Sequence, residues 1–371
     1  GVPLTILGIP HCGRNIFKWL FVLIRSLIRA LIRADEYPQI LVLEMAADRP
    51  GDIAYLAKLA PPFIGVITAI GEIPVHVEFF SGPRAVAEEK AKLIQALPAD
   101  GFAVLNYDDA VLIKLKSHTR ADVLLYGFGD EADVRIRDYA LNASEAQGPP
   151  GISFKLEYAG NGAGVKLANT FGKQQSYAAS AAAAVGLALK MSMSEIASAL
   201  TSYQSPPGRL KLISGNKDTL ILDDTYNASP ASTLAALEVL EKFPASRRIA
   251  VLGDMLELGS WTEEAHRLIG RRVAKAADLF LAVGERMKFA LDEAASHGEQ
   301  HSRLLASRVF WLATADEAGK KLEALLKPGD VVLVKGSQGL RMERVVEEVL
   351  AEPEKAGLLL VRQDKWWLNR S

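Results

Sequence analysis

The chain has 371 residues, of which 49% are hydrophobic and 23% charged, and a formal net charge of −1. That length holds two domains with full cores, and the near-neutral balance lacks the cationic excess that nucleic-acid phosphates require. The single cysteine, Cys12, excludes an internal disulfide and fits a reducing cytoplasm.

The chain opens on Gly1 rather than Met and shows no signal-peptide pattern, so a start inside a longer protein is expected. The segment Ile16 to Arg33 (IFKWLFVLIRSLIRALIR) is apolar but carries four cations. It is therefore a poor spanning helix. Lys18, Arg25, Arg29 and Arg33 recur at spacings of seven, four and four, one stripe on a helix. Two readings follow: a helix packed on its own domain's sheet with the stripe in water, or a helix lying on an anionic membrane surface.

Beyond it, strand-length apolar runs alternate with helical stretches, the pattern of an α/β protein. Ile40 to Glu44 (ILVLE) and Ile64 to Ala69 (IGVITA) are expected as buried parallel strands, Pro83 to Leu97 as a helix and Phe102 to Leu105 as a strand. Between Ala121 and Leu167 short alternating runs with Gly turns, notably AGNGAG at 159–164, predict a small antiparallel β insertion. An alanine-rich helix, Tyr177 to Lys190, follows, and Ser192 with Glu195 makes a capping box for the next.

SPPGR at 205–209 interrupts the pattern and is the expected linker. It divides a domain at 1–204 from one at 205–371. The second has apolar runs at Leu220 to Asp224, Arg248 to Leu252, Leu279 to Val283, Val309 to Ala313, Val331 to Lys335 and Leu358 to Val361. Helices separate most of these runs, which predicts a doubly wound, Rossmann-like domain.

Open parallel sheets bind ligands beyond the carboxyl ends of their strands. Polar residues that follow apolar runs are therefore the candidates. Glu44 closes ILVLE and His76 follows IGVITA; each alone is usually structural, but together they offer oxygen and nitrogen ligands to a divalent cation such as Mg²⁺. Lys90, inside AVAEEKAKLI, is either a lysine paired with neighbouring glutamates or one that carries charge, or a carbamate, beside a metal–phosphate site. In TLILDDTYNASPAST, Ser229 is a good N-cap and Pro230 a good first helical residue. Asp223, Asp224, Tyr226 and Asn227 then exceed what capping needs and suit recognition of hydroxyl, amine or phosphate. VLGDMLELGSWTEEAH at 251–266, its helix expected to be capped by Ser260 and Glu263, repeats the arrangement. So does VVLVKGSQGLRME at 331–343, with Lys335 and Ser337.

GVPLTIL at 1–7, VLEMAADRPGDIAYLAKLAPP at 42–62, HVEFFSGPRAVAEEKAKL at 76–93, PPGRL at 206–210, DDTYNASPAS at 223–232, LGDMLELG at 252–259 and KGSQGLRME at 335–343 appear in one order along nearly the whole chain. In these pieces the sequence resembles the Mur ligases, and within them most the type that joins D-Ala-D-Ala to UDP-N-acetylmuramoyl-tripeptide. The resemblance implies a central ATPase domain followed by a Rossmann-like ligase domain, with ATP and Mg²⁺ as cofactors, in a cytoplasmic monomer of peptidoglycan synthesis. By it, Glu44 and His76 match metal ligands, and Lys90 matches a lysine that becomes carbamylated and helps hold Mg²⁺. Lys90 and His76 are thereby the catalytic candidates. Arg209 and Asp224, with Asn227, match positions around the nucleotide; Asp223, Tyr226, Lys335 and Ser337 lie in motifs facing the amine substrate.

The implied chemistry is phosphorylation of the tripeptide's terminal carboxylate by ATP and attack of the dipeptide's amine on the acyl phosphate. The sequence departs from the pattern in lacking the family's G-x-x-G-K-T-T loop and sugar-binding domain, which the family carries upstream of GVPLTIL. Ala69 stands in place of Asn, and Gln174 and Ala178 stand where His and Asn are usual. The segment at 16–33 is also longer than expected between its flanking motifs. A folylpolyglutamate synthase-like amide ligase, or a non-catalytic relative that binds nucleotide or membrane, are the alternative readings.

Overall fold

The computed structural model describes residues 2–9, 13, 15–31, 37–143, 149–296 and 304–368. Cys12, Ile32 and Arg33 lie outside them. Two six-stranded sheets, each covered by helices, make the α/β architecture expected.

The first sheet runs in simple chain order: β1 (Ile64–Ile67), β2 (Phe102–Asn106), β3 (Asp122–Gly127), β4 (Val134–Asn142), β5 (Gly151–Tyr158) and β6 (Asn161–Ala168). The antiparallel part is smaller than expected. β3 pairs β2 in parallel and β4 pairs β3 in parallel, so only β4 to β6 form a meander, and it extends the same sheet. The β5–β6 turn is Ala159–Gly160 with both φ positive, as a two-residue hairpin loop requires.

Helices α1 (Val2–Leu7), α2 (Ile16–Leu31) and α3 (Asp52–Leu59) precede β1, and α4 (Pro83–Gln95) packs against it. A short α5 (Ala110–Leu115) follows β2, capped by the Asp109 carboxylate on the N–H groups of Val111 and Leu112. The alanine-rich α6 (Lys173–Ala188) has small residues on all sides because it is buried between the sheet and α7 (Met193–Thr201). The capping box of α7, Ser192 with Glu195, forms as expected.

Ile40 to Glu44 is not a strand. It is irregular and exposed, with Val42 89% accessible. An extended segment needs a neighbour for its N–H and C=O groups, and the sheet begins at β1 without pairing it.

The second sheet has the order β11-β10-β9-β12-β8-β7, with β7 (Lys211–Gly215), β8 (Thr219–Asp224), β9 (Arg247–Gly253), β10 (Leu279–Val283), β11 (Val309–Leu312) and β12 (Asp330–Lys335). All pairs are parallel except β7–β8, an antiparallel edge the sequence pattern does not announce. β10 and β12 are buried along their whole length, hence their near-continuous apolar sequences. Helices α8 (Pro230–Lys242), α9 (Thr262–Ala276) and α10 (Lys288–Ser296) cover one face; α11 (Ala315–Leu325) and α12 (Glu343–Glu348) cover the other.

Two further expectations are corrected here. Leu358 to Val361 is no strand: a short helical turn, Ala356–Leu359, leads into Leu360, and Ala356 and Leu360 fill the second sheet's core instead. Ser260 does not cap α9, whose start carries no side-chain cap because a 3₁₀ turn, Gly259–Trp261, runs directly into it.

The halves are not independent. Phe171, from the loop before α6, is fully buried in the core of the second sheet, edge-to-face with Phe243 at 5.5 Å. Ile73, Leu141 and Ala143 pack against the same core.

Candidate active site at the carboxyl ends of the second sheet

The chain leaves β8 for β9 and later returns to place β12 between them. The strand order reverses there, and in open α/β sheets that crevice is where ligands bind. β8 ends in two aspartates, and successive side chains on a strand point to opposite faces. Asp223 turns inward and is fully buried. It accepts from Gly208 N at 3.0 Å, Thr225 N at 3.2 Å and Thr225 Oγ1 at 2.6 Å. Burial outweighs these bonds and pushes its carboxyl up to about 6.

Asp224 meets its register partner on β12, Lys335. Lys335 Nζ donates to Asp224 Oδ2 at 2.6 Å and to Asn227 O at 2.8 Å, and the lysine is 3% exposed. The other oxygen of Asp224 accepts from Leu210 N at 3.1 Å. The linker is thus pinned to the strand end by both aspartates. Gly208 is obligatory in that clamp: its φ is +70° and a Cβ there would lie 2.8 Å from Val361 and 3.0 Å from Tyr226 N. The turn lays Arg209 over the Tyr226 ring, with 3.9 Å from guanidinium to ring centre.

Asn227 Oδ1 folds back onto Ala228 N, and Ser229 caps α8 in a capping box with Ser232 and Pro230 at the first helical position. The capped N-terminus of α8 lines the same space through Ser229 and Ser232. That space is a cleft of about 240 Å³, lined from the second half by Arg209, Asp224, Asn227, Ser229 and Lys335, and from the first by Val75, Gln174 and Gln175. Gln174 Oε1 is buried there with no hydrogen-bond partner among the described residues.

Ser337 is placed differently. It is buried beneath the cleft, accepting from Leu256 N at 2.9 Å through Oγ and donating its own N–H to Asp254 O at 3.0 Å. It thereby ties the β12 loop to the β9 loop. The latter is held by two residues of the 251–266 segment that the sequence pattern did not pick out individually. Asp254 Oδ1 accepts from Met287 N at 2.7 Å, and His266 Nε2 accepts from Met255 N at 3.1 Å while Nδ1 donates to Thr262 O at 2.7 Å. Burial raises the Asp254 carboxyl and lowers the His266 imidazole from their ordinary values. Arg362 is another such residue: it donates to Thr225 O at 3.1 Å and to Tyr226 O, and pairs with buried Glu343 at 2.7 Å.

The structure shows no contact among the three candidates of the first half. His76 has φ 65° and spans the two halves: Nδ1 lies 2.6 Å from Glu257 Oε2 without an aligned hydrogen bond, and Nε2 lies 3.7 Å from Asp48. Lys90 is half-buried with no hydrogen bond or ion pair to any described residue; Glu89 is taken by Lys92 and Glu88 by Arg84. Burial pushes its ammonium down from the ordinary value against an opposing pull from Asp109. Glu44 sits in the exposed irregular segment and bonds to neither. Among the described residues no three His, Cys, Asp or Glu side chains are placed to hold a metal. As placed, these donors do not form a cation site, and Lys90 could be a ligand only as a carbamate.

Two family models match the chain: the Mur ligase middle domain over residues 26–186 and the Mur ligase glutamate ligase domain over residues 208–338. The UDP-N-acetylmuramoyl-tripeptide–D-alanyl-D-alanine ligase of Mycobacterium tuberculosis (strain CDC 1551 / Oshkosh) is 34% identical over 339 residues, 87% of this chain and 64% of that protein. Its namesake in Bacillus subtilis (strain 168) is 28% identical over 362 residues, 95% of this chain and 68% of that protein. Among solved structures, the MurF ligase of Thermotoga maritima in complex with ADP aligns with a TM-score of 0.72 at 28% identity, covering 92% of this chain and 73% of that one. The chain thus spans 64% of the length of the mycobacterial relative.

Proposed function

The chain belongs to the Mur ligase family, and on that premise we propose that it forms an amide bond at the expense of ATP, adding D-Ala-D-Ala to UDP-N-acetylmuramoyl-tripeptide in peptidoglycan precursor synthesis. The relatives named for that reaction support the substrates. The observation that carries a nucleotide-dependent reaction is the cleft itself: Arg209, the α8 N-terminus and the unpartnered Gln174 acceptor converge on it from both halves.

In this reading residues 1–204 are the central ATP-binding domain and 205–371 the domain that closes on it, in a cytoplasmic monomer. Arg209, Asp224 and Asn227 bind the nucleotide. Arg209 already lies over the Tyr226 ring, so it offers phosphate a pre-positioned cation. Asp223, Tyr226, Lys335 and Ser337 shape the amine-substrate side, Lys335 held in place by Asp224. The tripeptide carboxylate attacks the γ-phosphorus of ATP and ADP leaves; the dipeptide amine then attacks the acyl carbon and phosphate leaves. Glu44, His76 and, as a carbamate, Lys90 are the residues this reading assigns to Mg²⁺, which would supply positive charge against the phosphates once the three are brought together. The protein's part is mainly to position the reactants.

The test is phosphate release from ATP by the full-length protein with each substrate in turn. Release should require both UDP-N-acetylmuramoyl-tripeptide and D-Ala-D-Ala. Release driven instead by a folate and glutamate would replace this substrate assignment with a folylpolyglutamate synthase-like one.

A further inference from the structure

The first 33 residues hold five Lys or Arg and no carboxylate, in a chain whose overall charge is −1. Within them α2 contributes no side chain to any core of either sheet. The one face it turns inward is narrow: Val22 is buried, Trp19 and Ser26 are half-buried, and Trp19 Nε1 donates to Gly13 O at 3.1 Å. At about 100° per residue these three share one side of the helix. Ile16, Phe17, Leu20, Phe21, Leu23, Ile24, Leu27 and Ile28 occupy more than half of the remaining circumference, and each is at least 49% exposed. The apolar face therefore is not packed on the domain's own sheet. A contiguous exposed patch of this kind marks a surface that something else covers.

We propose that α2 is an in-plane anchor for an anionic lipid surface. Its charge decides the occupant. Exposed Lys18 and Arg25 stand on the flank of the apolar arc, with no acidic residue on the helix to neutralise them. A second copy laid on this face would bring cation to cation. An anionic bilayer takes the apolar arc among its acyl chains and the cations among its headgroups at once. No described helix is long and apolar enough to cross a membrane, so the contact is peripheral. It is independent of the ligase reading.

The experiment is co-sedimentation of the full chain with vesicles of phosphatidylcholine, with and without phosphatidylglycerol. Binding is expected only with the anionic lipid and should weaken with added salt. Lys18→Glu with Arg25→Glu should reduce it roughly thirtyfold or more, each cation beside an anionic surface being worth about fivefold. Leu20→Asp with Leu27→Asp should abolish it while leaving the urea midpoint unchanged, since α2 lies outside the cores. Failure of the unaltered chain to sediment with anionic vesicles overturns the proposal. So does concentration-dependent dimerisation that the Leu20→Asp and Leu27→Asp pair abolishes without any vesicle binding, which would make a second copy the occupant.

Discussion

Asp223 and Asp224 are neighbours in sequence and opposites in chemistry. Asp224 is compensated by Lys335, whereas Asp223 has only neutral donors around a fully buried carboxyl. Its folded pKa is about 6 against an ordinary 3.8, so the protonated form is favoured in the folded state. A raised folded pKa gives stability that is fully present below the unfolded value and lost as pH rises through the folded one. Ionising Asp223 should therefore cost about 2 kcal/mol between pH 4 and 7. Asp223→Asn cannot ionise, so urea unfolding at both pH values should show the variant gaining on the unaltered protein by about that amount as pH rises. A difference that stays flat would mean the site is better solvated than its burial implies. Lys90 yields a second test at this scale. Lys90 makes no ion pair with a described residue, and burial lowers its ammonium against the pull of Asp109, which favours an amine able to react with carbon dioxide. In the full-length protein Lys90→Ala should reduce turnover at least about a hundredfold, with partial rescue by a short carboxylic acid. Unchanged turnover would remove the carbamate role.

At the scale of elements, propensity and packing can pull against each other, and α9 contains such a position. Gly270 lies mid-helix, where Ala would gain about 0.5–1 kcal/mol in helix propensity. Yet a Cβ there would sit 2.3 Å from the backbone oxygen of Ala290 on α10 and 2.9 Å from Glu293 Cβ. Backbone cannot step aside as a side chain can, and overpacking costs about 1–3 kcal/mol. Gly270→Ala should lower stability by roughly 1–2 kcal/mol in urea unfolding; a stabilised variant would show that the two helices separate freely. The same competition explains what could be read from sequence. β10 and β12 were legible because strands buried on both faces are continuous apolar runs between helices. ILVLE and Leu358 to Val361 have the same local character, but a short apolar run does not specify its partner. One finds no strand to pair with and the other fills a core as a helical turn. In the site, Asp224 and Lys335 stood out as polar ends of apolar runs. Arg362 and His266 did not, because their partners are 136 and 11 residues away and a lone side chain carries no periodicity.

At the scale of the whole molecule, the cleft is lined from both halves, so its geometry depends on how they are held together. His76 and Glu257 meet across the boundary, as do Glu78 N and Glu257 O at 3.4 Å, but the first is not an aligned hydrogen bond and the second is long. Phe171 is different in kind. It belongs to the first half in sequence and to the second sheet's core in space, fully buried beside Phe243 and immediately before Gly172 and α6, which carries Gln174. Removing its ring takes away a buried aromatic and leaves a cavity, a cost of about 3–5 kcal/mol. Because that core is shared, the cost falls on the coupling between halves as well as on the second sheet. The unaltered chain should therefore unfold in one calorimetric transition, and Phe171→Ala in two, the first assigned to the second sheet. The same variant should weaken ADP binding, since Gln174 would no longer be held against Arg209 and Asp224 across the cleft. A single transition merely shifted downward, with ADP affinity intact, would show that the remaining contacts across the boundary suffice to hold the site.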